Sequence, residues 1–410
     1  MHTICFEKDI PKLLIVKALQ PLWPGVIYSA LSPTRFREFP DEPLPGPRWV
    51  RVRNLLCGIC ASDLHLLQAD ADPAIAAAAL PGTNWIYLGH EVVGCVSEIG
   101  PGITTLRSGD RVIMDSRAVM SATCLSQEID PPCRHCRAGN FQLCENGSLV
   151  QGPVGVGGGW GDSFTAHMTE LYRVPPEFDD ETAAMIEPLS VGVRAALSRL
   201  PEPGEQVLVI GSGVVGLNVI QAVRALAPDC RISAMARYPQ QVAMARQFGA
   251  DEVVDQEDAY AATARITHGK LYTGMFNNRT IAGGFDVVFD CVGSGRSVRD
   301  GLRWTRAGGT VVLVGVSLKP MHVDLTPVWQ QEVRLIGIVT HGMETWNGAR
   351  FSTYDLTCNL LRQGKLKTGG LITHSFRLEQ WREAIKTAQD KRTGAIKVVL
   401  DYREPATARV

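Results

Sequence analysis

V-L-V-I-G-S-G-V-V-G-L, residues 207–217, passes from a short run of β-branched and apolar residues through three spaced glycines into an amphipathic stretch. The glycines are Gly211, Gly213 and Gly216, the pattern G-x-G-x-x-G. With 40 glycines in 410 residues the bare pattern is expected about 0.4 times per chain by chance, so its context must decide. Here it leaves a buried strand and opens a helix. Gly211 permits the tight turn, Gly213 lets the backbone approach a pyrophosphate at the helix N-terminus, and Gly216 lets helix and strand pack closely. Downstream, R-I-S-A-M-A (231–236), F-D-V-V-F-D (285–290) and T-V-V-L-V (310–314) are further buried strands. Helical stretches such as Q-Q-V-A-M-A-R-Q-F lie between them. Buried strands alternating with helices predict a doubly wound parallel sheet.

Upstream of residue 200 the texture differs. The first 45 residues read as irregular and proline-rich. W-V-R-V-R-N-L-L (Trp49–Leu56), E-V-V-G-C-V-S-E-I-G and G-D-R-V-I-M-D read as short strands, so this part is mostly β. Ala74–Leu80 is expected to be a short helix, since alanine favours helix most. After residue 345 a helix, a loop and a last strand, A-I-K-V-V-L, are expected. The formal net charge of −1 offers no field to attract nucleic acid or anionic lipid. No apolar run is long enough for a membrane helix, and the N-terminus does not read as a signal peptide. The expected compartment is cytoplasmic and reducing, where 11 cysteines serve as metal ligands or core residues rather than disulfides.

Four stretches carry candidate chemistry. C-G-I-C-A-S-D-L-H (57–65) contains a C-x-x-C that by spacing alone is a redox dithiol, half a zinc knuckle or a coincidence. Y-L-G-H-E-V-V-G contains His90 and Glu91. A-A-M-I-E-P-L-S-V-G-V contains Glu187. C-R-H-C-R-A-G-N-F-Q-L-C contains Cys133, Cys136 and Cys144, with Cys124 upstream.

Taken together and in this order, these stretches and the glycine loop resemble a medium-chain dehydrogenase/reductase of the zinc-containing alcohol and polyol dehydrogenase type, over roughly residues 48 to 400. The resemblance implies a GroES-like, mostly β catalytic domain over residues 1–188, with a structural zinc lobe at 124–144. It implies a Rossmann domain over 189–344, and a segment 345–410 that completes the catalytic domain. Cys60 and His90 are then ligands of a catalytic zinc, with Glu91 or Glu187 as the third. Cys57 is a small core residue, and Asp63 orients a ligand. Ser62 and His65 match the proton relay. The structural zinc would be held by Cys124, Cys133, Cys136 and Cys144; the family's usual C-x2-C-x2-C-x7-C spacing places Asp130 where its first cysteine stands, so the alternatives are that Asp130 ligates or that the site is empty.

The implied activity is hydride transfer between a nicotinamide and an alcohol or polyol, or its carbonyl counterpart, bound between the domains. The loop contacts of the cofactor would extend to Val214, Val215, Cys291, Val292, Gly315 and Val316. In relatives that prefer NAD, an acidic residue ends the second strand of the dinucleotide sheet. Counting back thirteen residues from the glycine of F-G-A (248–250) places Ala236 there, followed by Arg237 and Tyr238. The group that would repel a 2′-phosphate is absent and a guanidinium stands beside it, so NADP is expected over NAD. A homodimer or homotetramer is expected by resemblance. The alternatives are a zinc-free quinone or enone reductase of the same superfamily and a non-catalytic zinc protein. G-V-G-G-G-W-G (155–161) reads either as a substrate loop presenting Trp160 or as a strand connection. The insertion 268–279 reads as an interface or a rim. His167, His268, His322, His341 and His374 stand alone and read as structural or solvated.

Overall fold

A computed structural model describes residues 1–70, 85–115, 123–147, 155–254 and 257–404. The expected helix at Ala74–Leu80 lies outside them. The chain divides into two compact units: residues Met1–Glu187 with Thr368–Val410, and Pro188–Lys367.

The first unit is built on a strand whose alternation is visible in sequence. Trp49–Gly58 pairs antiparallel with Glu91–Ile99 and also with Ser163–His167. The sheet continues through Arg111–Met114 to Leu171–Arg173. On its other side the chain's last strand, Lys397–Asp401, pairs with Trp49–Gly58 and with Ile372–Phe376. Val50, Val52, Val92, Phe164, Val398 and Leu400 point into one core, which the helix Trp381–Gln389 closes with Trp381 and Ile385. The first 45 residues are more ordered than expected. His2–Glu7 pairs with Thr34–Glu38 and Trp85–Tyr87, and Ile10–Leu19 is helical. Asp9 caps that helix by accepting from the Lys12 N–H at 3.1 Å.

The glycine-rich segment 155–161 is a packed connection. Trp160 is fully buried, its N–H donates to the Leu88 carbonyl at 3.0 Å, and its carbonyl accepts from Ile4 at 2.7 Å. The Asn54 amide donates to the carbonyls of Gly158 and Gly161. The substrate-loop reading of Trp160 is therefore corrected: its indole fills the core.

The second unit carries six parallel strands in the order Glu252–Val254, Arg231–Met235, Gln206–Ile210, Phe285–Asp290, Thr305–Leu313, Arg334–Gly337. This is the doubly wound order of dinucleotide-binding sheets. The helix Val214–Leu226 leaves the central strand and buries Leu217, Val219, Ile220 and Val223. The insertion forms a hairpin, Lys270–Thr273 with Arg279–Ala282, whose tip exposes Met275 and Phe276.

The return to the first unit falls at Thr368 rather than at residue 345. A second hairpin, Met343–Trp346 with Ala349–Ser352, and the helix Thr353–Arg362 stay with the second unit. Among the contacts that hold them there, Arg194 donates to Glu344 Oε1 at 2.7 Å, the Thr357 hydroxyl lies 2.8 Å from that of Ser190, and Lys367 N–H donates to Gln221 Oε1 at 2.8 Å.

Candidate active site

In the first unit, Cys60 caps the helix Ala61–Leu67, and His90 and Glu91 stand where Glu91–Ile99 begins. The Cys60 sulfur, a His90 ring nitrogen and a Glu91 oxygen all lie within 4.8 Å of one another. One thiol, one imidazole and one carboxylate form a donor set suited to zinc, and three protein donors leave a position of a tetrahedral ion open. Asp63, on the same helix, fixes the frame. Its Oδ2 accepts from the Cys60 N–H at 3.1 Å, its Oδ1 accepts from the Gly89 N–H at 3.2 Å, and Oδ1 lies 3.8 Å from His90 Nδ1. Burial alone would lower the His90 pKa, but the negative charges of Cys60, Asp63 and Glu187 hold it well above the usual histidine range.

Glu91 has a partner that sequence reading missed. Lys397, on the last strand, is 1% exposed and donates from Nζ to Glu91 Oε2 at 2.5 Å and to the Ile59 carbonyl at 3.2 Å. Burial opposes its charge, yet Glu91, Cys60 and Glu187 together raise its pKa. Gly58 makes room for this arrangement: a Cβ there would stand 2.0 Å from Glu91 Oε2. A signal existed in A-I-K-V-V-L, because a lysine inside a buried apolar run requires a buried anion. Glu187 is buried and acts on both His90 and Lys397, though it lies outside the tight three-donor cluster. Ser62 and His65 are three residues apart on the helix and share a face. His65 Nδ1 lies 3.2 Å from Asp70 Oδ2.

The second donor cluster is the cysteine lobe. The sulfurs of Cys124, Cys133, Cys136 and Cys144 lie within 4.8 Å of one another, with Cys124 and Cys144 3.6 Å apart. Cys124, not Asp130, joins the other three. Its sulfur accepts from the Cys133 N–H at 3.4 Å and from the Asn146 amide at 3.1 Å. Burial opposes ionisation of Cys133, but the N–H groups of Cys136 and Glu145 bring it down to about 6. Four thiols in this arrangement suit a closed tetrahedral zinc site. Of the isolated histidines, His167 and His341 are buried, the latter stacked on Tyr354 at 3.9 Å, and none joins either cluster.

In the second unit the glycine loop has the expected geometry. Gly211 adopts φ +90°, which favours glycine, and a Cβ on Gly216 would stand 1.8 Å from the Gly211 carbonyl oxygen. A Cβ on Gly213 would meet nothing within 4 Å, so the space over the start of the helix, with Val214 and Val215 in its first turn, suits a pyrophosphate. Cys291, Val292, Gly315 and Val316 follow the C-terminal ends of two strands of the same sheet, where dinucleotides bind. Val292 and Val316 are half exposed. Arg237 and Tyr238 follow Arg231–Met235. Both backbone N–H groups donate to Gln241 Oε1, and the exposed Arg237 guanidinium lies 5.6 Å from the Tyr238 ring centre.

Comparison with known proteins agrees with this geometry. Residues 46–176 match the family model for the alcohol dehydrogenase GroES-like domain, and residues 214–351 match that for zinc-binding dehydrogenases. L-idonate 5-dehydrogenase of Vitis vinifera is 31% identical over 88% of this chain and 89% of its own. The chain belongs to the zinc-dependent alcohol and polyol dehydrogenases of the medium-chain superfamily. Sorbitol dehydrogenase of Arabidopsis thaliana is also 31% identical, over 88% of this chain and 90% of its own. In fold, this dehydrogenase is similar to 2R,3R-butanediol dehydrogenase from Bacillus subtilis, with a TM-score of 0.68 at 24% identity over 90% of this chain and 96% of that one. It is therefore an oxidoreductase with a small-molecule substrate. Among the described residues no helix is long and apolar enough to cross a membrane.

Proposed function

We propose that this dehydrogenase interconverts a secondary hydroxyl of a polyol and its ketone, with NADP(H) preferred over NAD(H). The observation that supports the cofactor reading is the pair Ala236 and Arg237 just past Arg231–Met235: a neutral residue stands where an acid would repel the 2′-phosphate, and an exposed guanidinium follows. Polyol-type substrates are the reading because relatives that cover most of the chain carry the names idonate and sorbitol dehydrogenase.

In this reading Cys60, His90 and a carboxylate hold the catalytic zinc, and the four cysteines of the lobe hold the structural one. Zinc bound there supplies Lewis-acid polarisation of the substrate oxygen, and the nicotinamide supplies or accepts the hydride. The chain's own residues do the rest. Asp63 keeps His90 in orientation. Lys397 compensates the buried charge of Glu91, so Glu91 has one oxygen free for the metal side, and Glu187 is the second carboxylate within reach. Ser62 Oγ takes the proton of the substrate hydroxyl and hands it to His65. With Nδ1–H donated to Asp70, His65 Nε2 is the basic nitrogen that accepts it.

Self-assembly is part of the same reading. The six-stranded sheet ends on Arg334–Gly337, which exposes Leu335 and is followed by the exposed Val339. An open edge of that kind suits a second copy of the chain; light scattering on the purified protein checks for a dimer or tetramer.

The deciding experiment is steady-state kinetics with both cofactors over a panel of sugars, polyols, amino alcohols and simple alcohols. NADP is expected to give roughly ten- to a hundred-fold higher kcat/KM than NAD, in line with a charge-assisted phosphate contact. Arg237→Asp should reverse the preference. Equal or better efficiency with NAD in the unmodified enzyme overturns the cofactor reading, and activity confined to simple primary alcohols overturns the substrate reading.

A further inference from the structure

The N-terminal helix Ile10–Leu19 is apolar on both faces. On its inner side Val16 is fully buried with Val26, Ile27 and Ala69, and Leu13 and Leu19 pack on the same cluster. On its outer side Ile10, Leu14 and Ile15, with Leu22 and Trp23 just past the helix, are between 38% and 87% exposed. A helix apolar all round belongs in a core or against another surface. The segment falls outside both family-matched spans, 46–176 and 214–351.

The exposed side chains form one patch. Ile10, Leu14 and Ala18 make an i, i+4 ridge, and Pro11 and Ile15 make a second beside it; Pro11 and Ala18 are exposed as well. Leu22 and Trp23 extend the patch on a fixed turn, since both backbone N–H groups donate to the Leu19 carbonyl, at 3.0 and 2.8 Å. Lys12 is taken up by Glu7 and Asp9, at 2.7 and 2.8 Å. Among the described residues Lys17, in the last turn of the helix, has no ion partner. At roughly 200 Å² for a large side chain in full exposure, the five leave about 600 Å² of apolar surface open, the upper end for a patch on a monomer.

We propose that this face docks on the same face of a second copy of the chain, the two helices antiparallel about a two-fold axis at Leu14. Two such patches cover about 1,200 Å², where stable protein interfaces begin. Antiparallel about Leu14, the large Ile10 of each copy meets the small Ala18 of the other, so the ridges interlock. The same pairing brings Lys17 of each copy toward Asp9 of the other, whereas a parallel pairing sets lysine beside lysine. A membrane surface is the poorer occupant, because a helix lying in an anionic headgroup layer needs more than one free lysine. The contact lies in the first unit and is separate from the sheet edge of the second. A chain that uses both forms a tetramer, and a chain that uses either alone forms a dimer.

The test is light scattering on the zinc-loaded full chain and on Leu14→Glu. The variant should have half the particle mass of the unmodified protein with unchanged circular dichroism, because Leu14 is exposed in the single chain and two carboxylates buried on the axis repel. Leu335→Glu probes the sheet edge separately, so failure of one contact is told from failure of the other. Leu14→Cys should link chain to chain by a disulfide on mild oxidation, seen as a doubled mass on a non-reducing gel, and Leu22→Cys should not, because only residue 14 sits on the axis. A monomeric unmodified protein, or unchanged mass in Leu14→Glu, overturns the proposal. If the mass is unchanged and the unmodified protein floats with phosphatidylglycerol vesicles while Leu14→Glu does not, the face belongs to a membrane. If the mass is unchanged and Leu14→Glu melts lower, the chain's own residues cover the face. A disulfide in Leu22→Cys but not in Leu14→Cys overturns the antiparallel register.

Discussion

The two donor clusters of the first unit use the same residue chemistry to opposite ends. At the lobe four sulfurs meet, each supplied by a turn or short helix within residues 124–144. At Cys60 one sulfur, one nitrogen and one oxygen meet, and the surrounding charges come from residues as distant in sequence as Asp63, Glu187 and Lys397. Four thiolates satisfy a tetrahedral ion from the protein alone. Three mixed donors do not, and the position they leave open is the one a substrate needs. The difference teaches that the closed cluster is a matter of local chain geometry, whereas the open one depends on charge balance across the whole unit.

That contrast is broken or sharpened first by ligand removal. Cys60→Ala should lower turnover by about a thousandfold or more, since it strips the site of Lewis-acid chemistry, while circular dichroism and melting temperature stay near those of the unmodified protein. Retention of substantial turnover would mean the mixed cluster is not the reaction centre. Cys136→Ala should do the reverse. It should lose one zinc per chain by elemental analysis and roughly 5 kcal/mol of stability in urea melts, because structural zinc binding contributes folding free energy. A stable Cys136→Ala variant with unchanged zinc content would remove the lobe's structural role.

The next test concerns charge balance. Lys397→Met leaves Glu91 buried and unpaired, and should cost roughly 3–4 kcal/mol. Adding Glu91→Gln to it should recover more than half of that loss; if the double variant is no better than the single, the pair is not the source of the cost. Lys397→Met with unchanged stability would mean that Glu91 does not need the cation.

The smallest effect lies beside the lobe. Glu170 is half-buried. Burial pushes its pKa up to about 7, against hydrogen bonds from the His167 N–H and Ser126 that favour the ionised form. A carboxyl raised in the folded state binds more protons there than in the unfolded chain between its two pKa values. Its contribution therefore declines as pH rises from the ordinary glutamate range through 7, and is flat above. Glu170→Gln should remove about 2–3 kcal/mol of that decline, read as the difference between urea melts at acidic and mildly alkaline pH. Parallel pH profiles for the two proteins would show that Glu170 ionises freely.

Where the sequence was legible, the signal was local. Phe285–Asp290 has the bounds read from sequence, and a helix opens at the glycine loop as read, because a buried strand and the turn after it advertise themselves within ten residues. Cys124 was within reach only through the lobe's resemblance, since its spacing to Cys133 departs from the usual one. The N-terminal helix was hidden by prolines, although Asp9 as cap and Pro11 in the first turn are helix-start signals. Lys397 and Glu91 are 306 residues apart, and no window of sequence contains both. The segment before Thr368 is held by hydrogen bonds to Ser190 and Gln221, side chains whose partners pattern alone does not reveal.

The place of Lys397 on the last strand has a consequence for synthesis. A chain emerging from the ribosome completes the lobe cysteines early, and they need only each other. Cys60, His90 and Glu91 are translated close together, but the cation that neutralises Glu91 follows 306 residues after it. Until then the strand Trp49–Gly58 lacks the neighbour that pairs with its Cys57 and Gly58 end. The nascent protein can close its sulfur-rich lobe first, while the mixed-donor cluster waits, one strand short and carrying an unbalanced acid, for Lys397.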